Sequence, residues 1–529
     1  MVAWLLFSRM GSQMSLGTTP EVEDLYSSSA RLCDDALSDT SIFKLLYRFG
    51  DEIFPDEFFC DLYDNLGRAS IPPRILATVM VLQRLHGLSD REAVNAFTFD
   101  IRYKYACGGL PYEYPGFAHT VLVDFRARLA GSDFPTRIFD KVLEVVSRAK
   151  LVKETRVLDS TPLYDAVVTM DTVTLLRRGI RGVYKESISK ESAYKEVVSR
   201  LIEVDRHLPS AKPIINWDDP VERDELINEV AKDASIILDY FESKPTHNEL
   251  REALIFLSAI MGQDLEVLAD RYVIAKRVAK DRIISSVDTD ARHGRKSSKS
   301  RFDGYKAHIA IDPESEIITA ASVTPGNVHD SSAALDLIDE DTKAVYADNA
   351  YGSGELVNQF EQRSIEAHIK AKFPKRIDGL IPKSDFVIDL DKGSVTCKAG
   401  ITIGIRPKRT LDGARAAFGK NCSSCYLVSQ CTKSKSGRTI QISPFEQQLQ
   451  QARLRFADPA FRQDYREIRP KVERKLAHLT RRLHGGRKAR VRGITKVTAD
   501  FLLLVAAQNL ARLAILGVIP PESPHVVPI

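Results

Sequence analysis

Asp159 and Asp348 each stand where an apolar run stops. RVLD gives way to Ser-Thr-Pro after the first, and KAVYAD gives way to Asn-Ala-Tyr-Gly after the second. Such runs predict buried strands, and an Asp leaving a buried strand lies at the rim of a sheet, where open α/β sheets bind ligands. Two such carboxylates on neighbouring strands can share a divalent cation, and Mg2+ favours hard oxygen ligands with positions left open for phosphate. Two ions about 3.5–4 Å apart clamp the attacking and leaving oxygens of an in-line phosphoryl transfer. Glu473 is the third candidate. It follows Tyr465 and Arg469 at four-residue steps, which stacks the three on one helix face, and a guanidinium there can hold phosphate. Each residue also has a plain alternative. Asp-Ser and Asp-Asn start turns, and an exposed Arg-Glu pair contributes about 0.3–0.5 kcal/mol.

The cysteines offer a second chemistry. Cys422 and Cys425 form a CxxC pair, with Cys431 six residues on and Cys397 upstream. Four thiolates can hold a structural zinc; free thiols in a small β region are the alternative. Cys33, Cys60 and Cys107 read as ordinary buried residues. Two basic clusters suit phosphate contact, which sets affinity and salt dependence without reading sequence. The first is Arg292, Arg295, Lys296, Lys299 and Arg301 in a Gly/Ser-rich loop; the second is Arg481, Arg482, Arg487, Lys488, Arg490 and Arg492. A merely solvated face is the alternative for both. His308, His329 and Asp330 read more readily as loop-ordering residues than as catalysts. Other chemistries fail on spacing: YGSG lacks the third glycine of a dinucleotide loop because Val357 stands there, and Gly413 to Asn421 is one residue too long for a P-loop.

The elements that must place these groups are an α/β mixture. The 529 residues are 44% hydrophobic and 28% charged, which excludes a chain disordered throughout. Net charge is only +4, yet 15 Lys and Arg stand against 6 Asp and Glu between Phe445 and Asp500, and such local excess is what suits nucleic acid. Residues 1–35 read as disordered, with Met14 an alternative start. From 36 to 150 the chain reads helical. RILATVMVLQRLH is followed by the Ser89-Asp90-Arg91-Glu92 capping box and then by HTVLVDFRARL. Three short helices with tight turns resemble a helix-turn-helix, and a plain bundle is the alternative. Helices recur from Arg177 to about Ile284, including runs near 190–207, 220–241 and 248–261. Strands return at Gly304 (GYKAHIAID, EIITAASVTP), then a short helix SSAALDLID, the strand KAVYADNAY, the helix GELVNQFEQR and the strand EAHIKAK. A long basic helix is expected over about 445–483, and a buried one over about 497–516. Gln508, Asn509 and Arg512 interrupt the apolar run 501–519, which favours a core helix over a membrane span. With no signal peptide or span read, the expected compartment is the cytoplasm.

Taken together, SDREAVNAFTFDIRYKYACG, RVLDSTPLYDAVVTMDTV, ARHGRKSSKSRFDGYKAHIAID, VTPGNVHDSSAALDLI, VYADNAYGS and YREIRPKVERKLAHLTRR resemble bacterial insertion-sequence transposases of the DDE type, close to the insertion sequence 1182 family. The resemblance runs from about residue 40 to 518. It implies a ribonuclease-H-like core in which Asp159, Asp348 and Glu473 bind two Mg2+ ions, with Mn2+ able to substitute. It implies a Tyr-Arg-Glu-Lys signature in which Tyr465 stands one residue farther from Arg469 than the pattern asks. Thr480 occupies the Lys place, with Arg481 beside it as a substitute cation. The implied layout is a helical DNA-binding domain at 36–150, a core at 151–176, 286–378 and 440–519, a helical insertion at 177–285, a cysteine-containing β insertion at 379–439, and a tail at 520–529. The implied function is binding of terminal inverted repeats in double-stranded DNA, metal-dependent cleavage and strand transfer into target DNA, by a homodimer in the synaptic complex at the bacterial nucleoid. A catalytically inactive DNA-binding relative, and a ribonuclease-H-like nuclease that does not join strands, are the alternatives.

Overall fold

The structure is a computed structural model. It describes residues 15–517 apart from 21–25, 27, 65–66, 166–168, 190–191, 297–299, 372, 374–377 and 409–412. Lys299, Met14 and the tail at 520–529 lie outside the described residues.

Part of the stretch 1–35 expected to be disordered is ordered, with a helical turn at Ala30–Cys33 and buried Cys33; helices α1 (Ile42–Ile53), α2 (Pro73–His86), α3 (Asp90–Phe99), α4 (Thr120–Gly131) and α5 (Arg137–Arg148) follow, with a short helix Ile101–Ala106 after α3. The capping box at α3 forms as expected: Ser89 Oγ accepts from Glu92 N, and the Glu92 carboxylate accepts from Ser89 N. Gly87 ends α2 in the left-handed region at φ 68°, and a Cβ there would strike the carbonyl of Leu483.

β1 (Thr155–Tyr164) follows, then α6 (Thr172–Ser187), α7 (Pro220–Phe241) and α8 (Asn248–Asp264). These three helices share a hydrophobic cluster that includes Leu176, Ile180, Ile237 and Leu257. α6 begins at Thr172 because Asp171 caps it through Thr174 N. The run near 190–207 is not the long helix expected. It holds one short helix, Val197–Leu201, entered through Glu196 at φ 66°, and one turn at Val204–Arg206. A hairpin, Leu265–Leu268 with Arg271–Ile274, was not anticipated.

The strands then resume with β2 (Arg292–Arg295), β3 (Arg301–Ile311), β4 (Ile318–Pro325), β5 (Ala344–Ala347) and, after helix α9 (Gly354–Gln362), β6 (Glu366–Ile369). The strand begins at Arg301, not Gly304, since Arg295 pairs with Arg301 and extends a β2–β3 hairpin. SSAALDLID makes two 3-10 turns instead of a helix. β1 is central: β3 lies antiparallel on one side, and β5 lies parallel on the other, followed by parallel β6. β4 and β2 sit end to end along the outer edge of β3.

Both faces of this sheet are covered, and the pleat sorts the residues. Val157, Ile309, Ile311 and Tyr346 belong to one cluster; Leu158, Ala310, Val345 and Ala347 belong to the other. On the first face lie α12 (Pro470–Leu479) and α13 (Ile494–Ile515), reached through α10 (Glu446–Ala457) and α11 (Pro459–Ile468). The single basic helix expected over 445–483 is thus three, because Pro459 and Pro470 each take the first position of a new helix, where a missing N–H costs nothing. α13 is long and apolar enough to cross a membrane, but it packs inside the molecule against α2, α5 and β4. Asn509 explains how: it is fully buried and exchanges two hydrogen bonds with the Ile318 backbone.

Candidate active site

β1 and β5 run parallel with Val157 opposite Tyr346. Two residues on from that pair, Asp159 lies within β1 with the parity of Val157, and Asp348 lies in the turn just past β5, where its charge reaches both Asp159 and Tyr465. Both carboxylates therefore face the α11–α12 layer. Asp348 leaves β5 in a turn in which its Oδ1 accepts from Ala350 N at 2.8 Å. Asp159 Oδ1 accepts from Ser160 N at 2.8 Å.

Across from them, α11 and α12 deliver Tyr465, Arg469 and Glu473 on one face. Arg469 is the centre of this group. Its guanidinium bonds Asp159 Oδ2 at 2.9 Å and lies 3.5 Å from Glu473 Oε1. The Arg469 side chain is only 7% exposed, whereas that of Glu473 is 63% exposed. The backbone stays helical through Arg469, whose N–H reaches Tyr465 O. Tyr465 Oη donates to Ala347 O at 3.2 Å. Burial, with Asp348 and Asp159 nearby, pushes the Tyr465 hydroxyl up to about 12. Asp159 titrates above the ordinary Asp value: burial is the main cause, Asp348 adds to it, and Arg469 opposes it.

Tyr351 was not singled out from sequence. It is fully buried, and its hydroxyl has no hydrogen-bond partner among the described residues. Its pKa is raised well above the ordinary value by burial, then by Asp330, Asp159 and Asp348. An unsatisfied buried hydroxyl costs about 1–3 kcal/mol. Tyr351→Phe is therefore expected to raise stability by about 1 kcal/mol without DNA, read as a higher urea midpoint at unchanged slope. A lower midpoint would show that the hydroxyl has a partner.

On the other face of β1, Ser160 Oγ donates to Asp330 Oδ2 at 2.7 Å, and Lys306 Nζ holds Asp330 Oδ1 at 2.8 Å and Val328 O at 2.7 Å. These bonds fix the loop after β4 against the carboxylate end of the sheet. Ser160 and Lys306 were visible only through strand parity and pairing. His308 is buried against Thr324, its pKa lowered by burial to about 4, and His329 accepts from Ser331 N. His308 thus ties β3 to β4 through a side chain, and only His329 orders backbone.

The basic residues gather at the same end of the sheet. Arg295, Lys296 and Arg301 are exposed on the β2–β3 hairpin; Arg292 is half-buried and bonds the carbonyls of Thr289 and Ala291. Arg487 and Lys488 lie on a segment that pairs with the end of β1, where Tyr164 N reaches Arg487 O at 2.6 Å and Ala489 N reaches Tyr164 O at 2.9 Å. Arg490 continues to the carbonyl of Leu88, between α2 and α3. Arg481 is exposed just past α12, while Thr480 bonds back to Leu476 O and supplies no cation.

The donors suit a hard divalent cation: two neighbouring carboxylates, one of them raised mainly by burial and further by its neighbour's charge, with a third on the facing helix. The set is not closed. Arg469 stands between Asp159 and Glu473, and among the described residues no group of three or more His, Cys, Asp or Glu side chains is drawn together tightly enough to hold a metal.

Two family models described as transposase DDE domains match residues 270–379 and 398–514, and one described as a transposase domain (DUF772) matches 33–128. Asp348 and Glu473 lie within the two DDE-domain matches, whereas Asp159 lies outside all three, in the gap between residues 128 and 270. No curated protein and no solved structure matches the chain. The chain is a DDE-type insertion-sequence transposase with an α/β, ribonuclease-H-like core, and the combination of matches is consistent with the insertion sequence 1182 family.

Proposed function

We propose that this transposase binds the terminal inverted repeats of its insertion sequence, hydrolyses a phosphodiester at each end, and transfers the freed 3′-OH to target DNA. The observation that carries this reading is the nearness of Asp159, within β1, to Asp348, just past parallel β5, whose charge acts on Asp159, with Arg469 bridging Asp159 and Glu473. Mg2+ held by these three carboxylates would supply Lewis-acid stabilisation of the phosphate oxygens and a deprotonated nucleophile near neutral pH. The protein's own groups do the remaining work. Tyr465, anchored on the Ala347 carbonyl, lies beside Arg469, whose guanidinium would meet a phosphate once it leaves Asp159. Arg295, Lys296, Arg301, Arg487 and Lys488 neutralise the DNA backbone at the same rim. The helices of 36–150 carry further DNA contact, and a homodimer would hold two ends together.

The test is incubation of purified protein with the DNA ends that flank its gene, in Mg2+ or Mn2+. Nicks at the repeat boundary followed by joined products support the proposal. Nicks without joining favour a nuclease, and binding without nicks in either metal favours an inactive DNA-binding relative.

The basic hairpin gives a separate expectation. Changing Arg295, Lys296 and Arg301 together to Gln lowers the slope of log affinity against log salt by about 1 per lost phosphate contact, with equal loss on specific and nonspecific duplex. An unchanged slope in a salt titration removes the hairpin from the DNA path.

A further inference from the structure

Between β6 and α10 the chain forms two small three-stranded sheets. One joins Val387–Asp389, Ser394–Thr396 and Thr402–Gly404; the other joins Arg406–Pro407, Ala414–Ala417 and Thr439–Ile442. Among the described residues their shared core holds only seven buried apolar residues, including Phe386, Val395, Phe418 and Ile440. A unit this small ordinarily needs a disulfide or a metal to hold its shape. Its four cysteines are not disulfide-bonded.

The turns of the two sheets bring those cysteines to one place. Cys397 lies in the turn after Ser394–Thr396, where Gly400, at φ 83°, donates its N–H to Cys397 O at 2.9 Å. Cys422 and Cys425 lie in a tight turn after Ala414–Ala417, closed by Cys425 N on Cys422 O. Cys431 ends the short helix Val428–Cys431. All four line one cavity of about 20 Å3, otherwise walled mainly by Ile381, Phe386, Ile401, Phe418 and Leu427. That volume is about one water molecule or ion, and an apolar wall is a poor host for water. Arg438 N points at Cys422 Sγ, 3.4 Å away, a contact that suits a thiolate better than a thiol. Lys398 and Arg438 also line the cavity, placing positive charge beside a centre that would carry net negative charge. The thiols ring the cavity more widely than coordination requires, in keeping with the open spacing noted among the described residues. Closing onto an ion needs the side chains to rotate inward.

We infer that Cys397, Cys422, Cys425 and Cys431 form a structural four-thiolate zinc site, which ties the two small sheets together. Each ligating thiol gives up its proton on binding, so affinity rises with pH. The site has a mechanical consequence. Glu446, at the start of α10, is buried and bonded by Lys383 at 2.5 Å, and Gln450 Nε2 donates to Ile388 O. The zinc-held unit thus grips the helix that leads through α11 to Arg469 and Glu473. This inference does not rest on the proposed DNA chemistry.

The test uses the full chain purified without chelators. Elemental analysis should give about one zinc per chain, released by a thiol-blocking mercurial. The Cys422→Ser/Cys425→Ser double variant should fall below about a tenth of that, with faster proteolysis between residues 378 and 442, while Cys60→Ser keeps its zinc. Should the double variant fail to fold, cobalt exchanged into the unaltered chain provides the second readout: intense tetrahedral ligand-field bands with sulfur-to-cobalt charge transfer. Protein that is zinc-free and takes up neither metal, or cobalt bands of an octahedral oxygen site, would overturn the inference.

Discussion

Asp348→Asn is expected to leave fold and DNA binding intact while lowering metal-dependent nicking at the repeat ends by about a thousandfold or more, or ~4 kcal/mol in the barrier. The substitution is gentle on structure. The turn after β5 depends on Asp348 Oδ1 accepting from Ala350 N, and an Asn oxygen can accept the same bond. What disappears is one negative charge beside Asp159. Asp348 contributes to the raised pKa of Asp159, so the variant should also hold Asp159 ionised to lower pH. Single-turnover nicking in Mg2+ and in Mn2+, beside a mobility-shift titration, separates chemistry from binding. Activity within tenfold of the unaltered protein would remove Asp348 from the reacting centre, and with it the reading built on the neighbouring pair.

The two Asp residues stood out in the amino-acid sequence because each follows an apolar run, but only Asp348 leaves its strand there: β1 continues past Asp159 to Tyr164. Their adjacency was not legible, since it depends on β1 and β5 pairing across 180 residues of intervening chain. Periodicity reports which face a residue takes but not which strand lies next to it. The same limit explains Tyr351. In DNAYG it reads as a turn residue, and only the packed sheet shows its hydroxyl buried beside three carboxylates. Helix boundaries failed for local reasons. Pro459 and Pro470 split the expected basic helix, although the path from Tyr465 to Glu473 survives because Arg469 keeps helical dihedrals. The basic loop at 292–301 became a hairpin because Gly294 admits the Phe302 ring and the Gly326 carbonyl, which a Cβ would strike. Nothing in a count of charges points to that contact.

Arg469→Met is expected to have the largest effect on stability. Arg469 is buried, and its guanidinium meets Asp159, itself only 14% exposed. Removing one partner of a buried pair leaves an uncompensated charge and costs about 3–5 kcal/mol. The pH dependence carries the diagnosis. Burial already holds Asp159 above its ordinary pKa, and Arg469 is the main influence that lowers it; without Arg469 the rise is larger. An acid whose folded pKa exceeds its unfolded value takes up a proton on folding. Its burden on stability is therefore absent below the unfolded value and grows as pH rises through the folded one. Urea melts of the variant should accordingly approach those of the unaltered protein near pH 4, about the ordinary Asp value, and diverge toward neutrality. Adding Asp159→Asn to Arg469→Met should recover most of the loss, a coupling that a double-mutant cycle measures directly. A deficit that is flat across this range, or no recovery in the double variant, would mean that Arg469 matters for packing and not for the Asp159 charge. The cation that stands between Asp159 and Glu473 would then be a spacer, with no reason to yield its place to a phosphate or a metal.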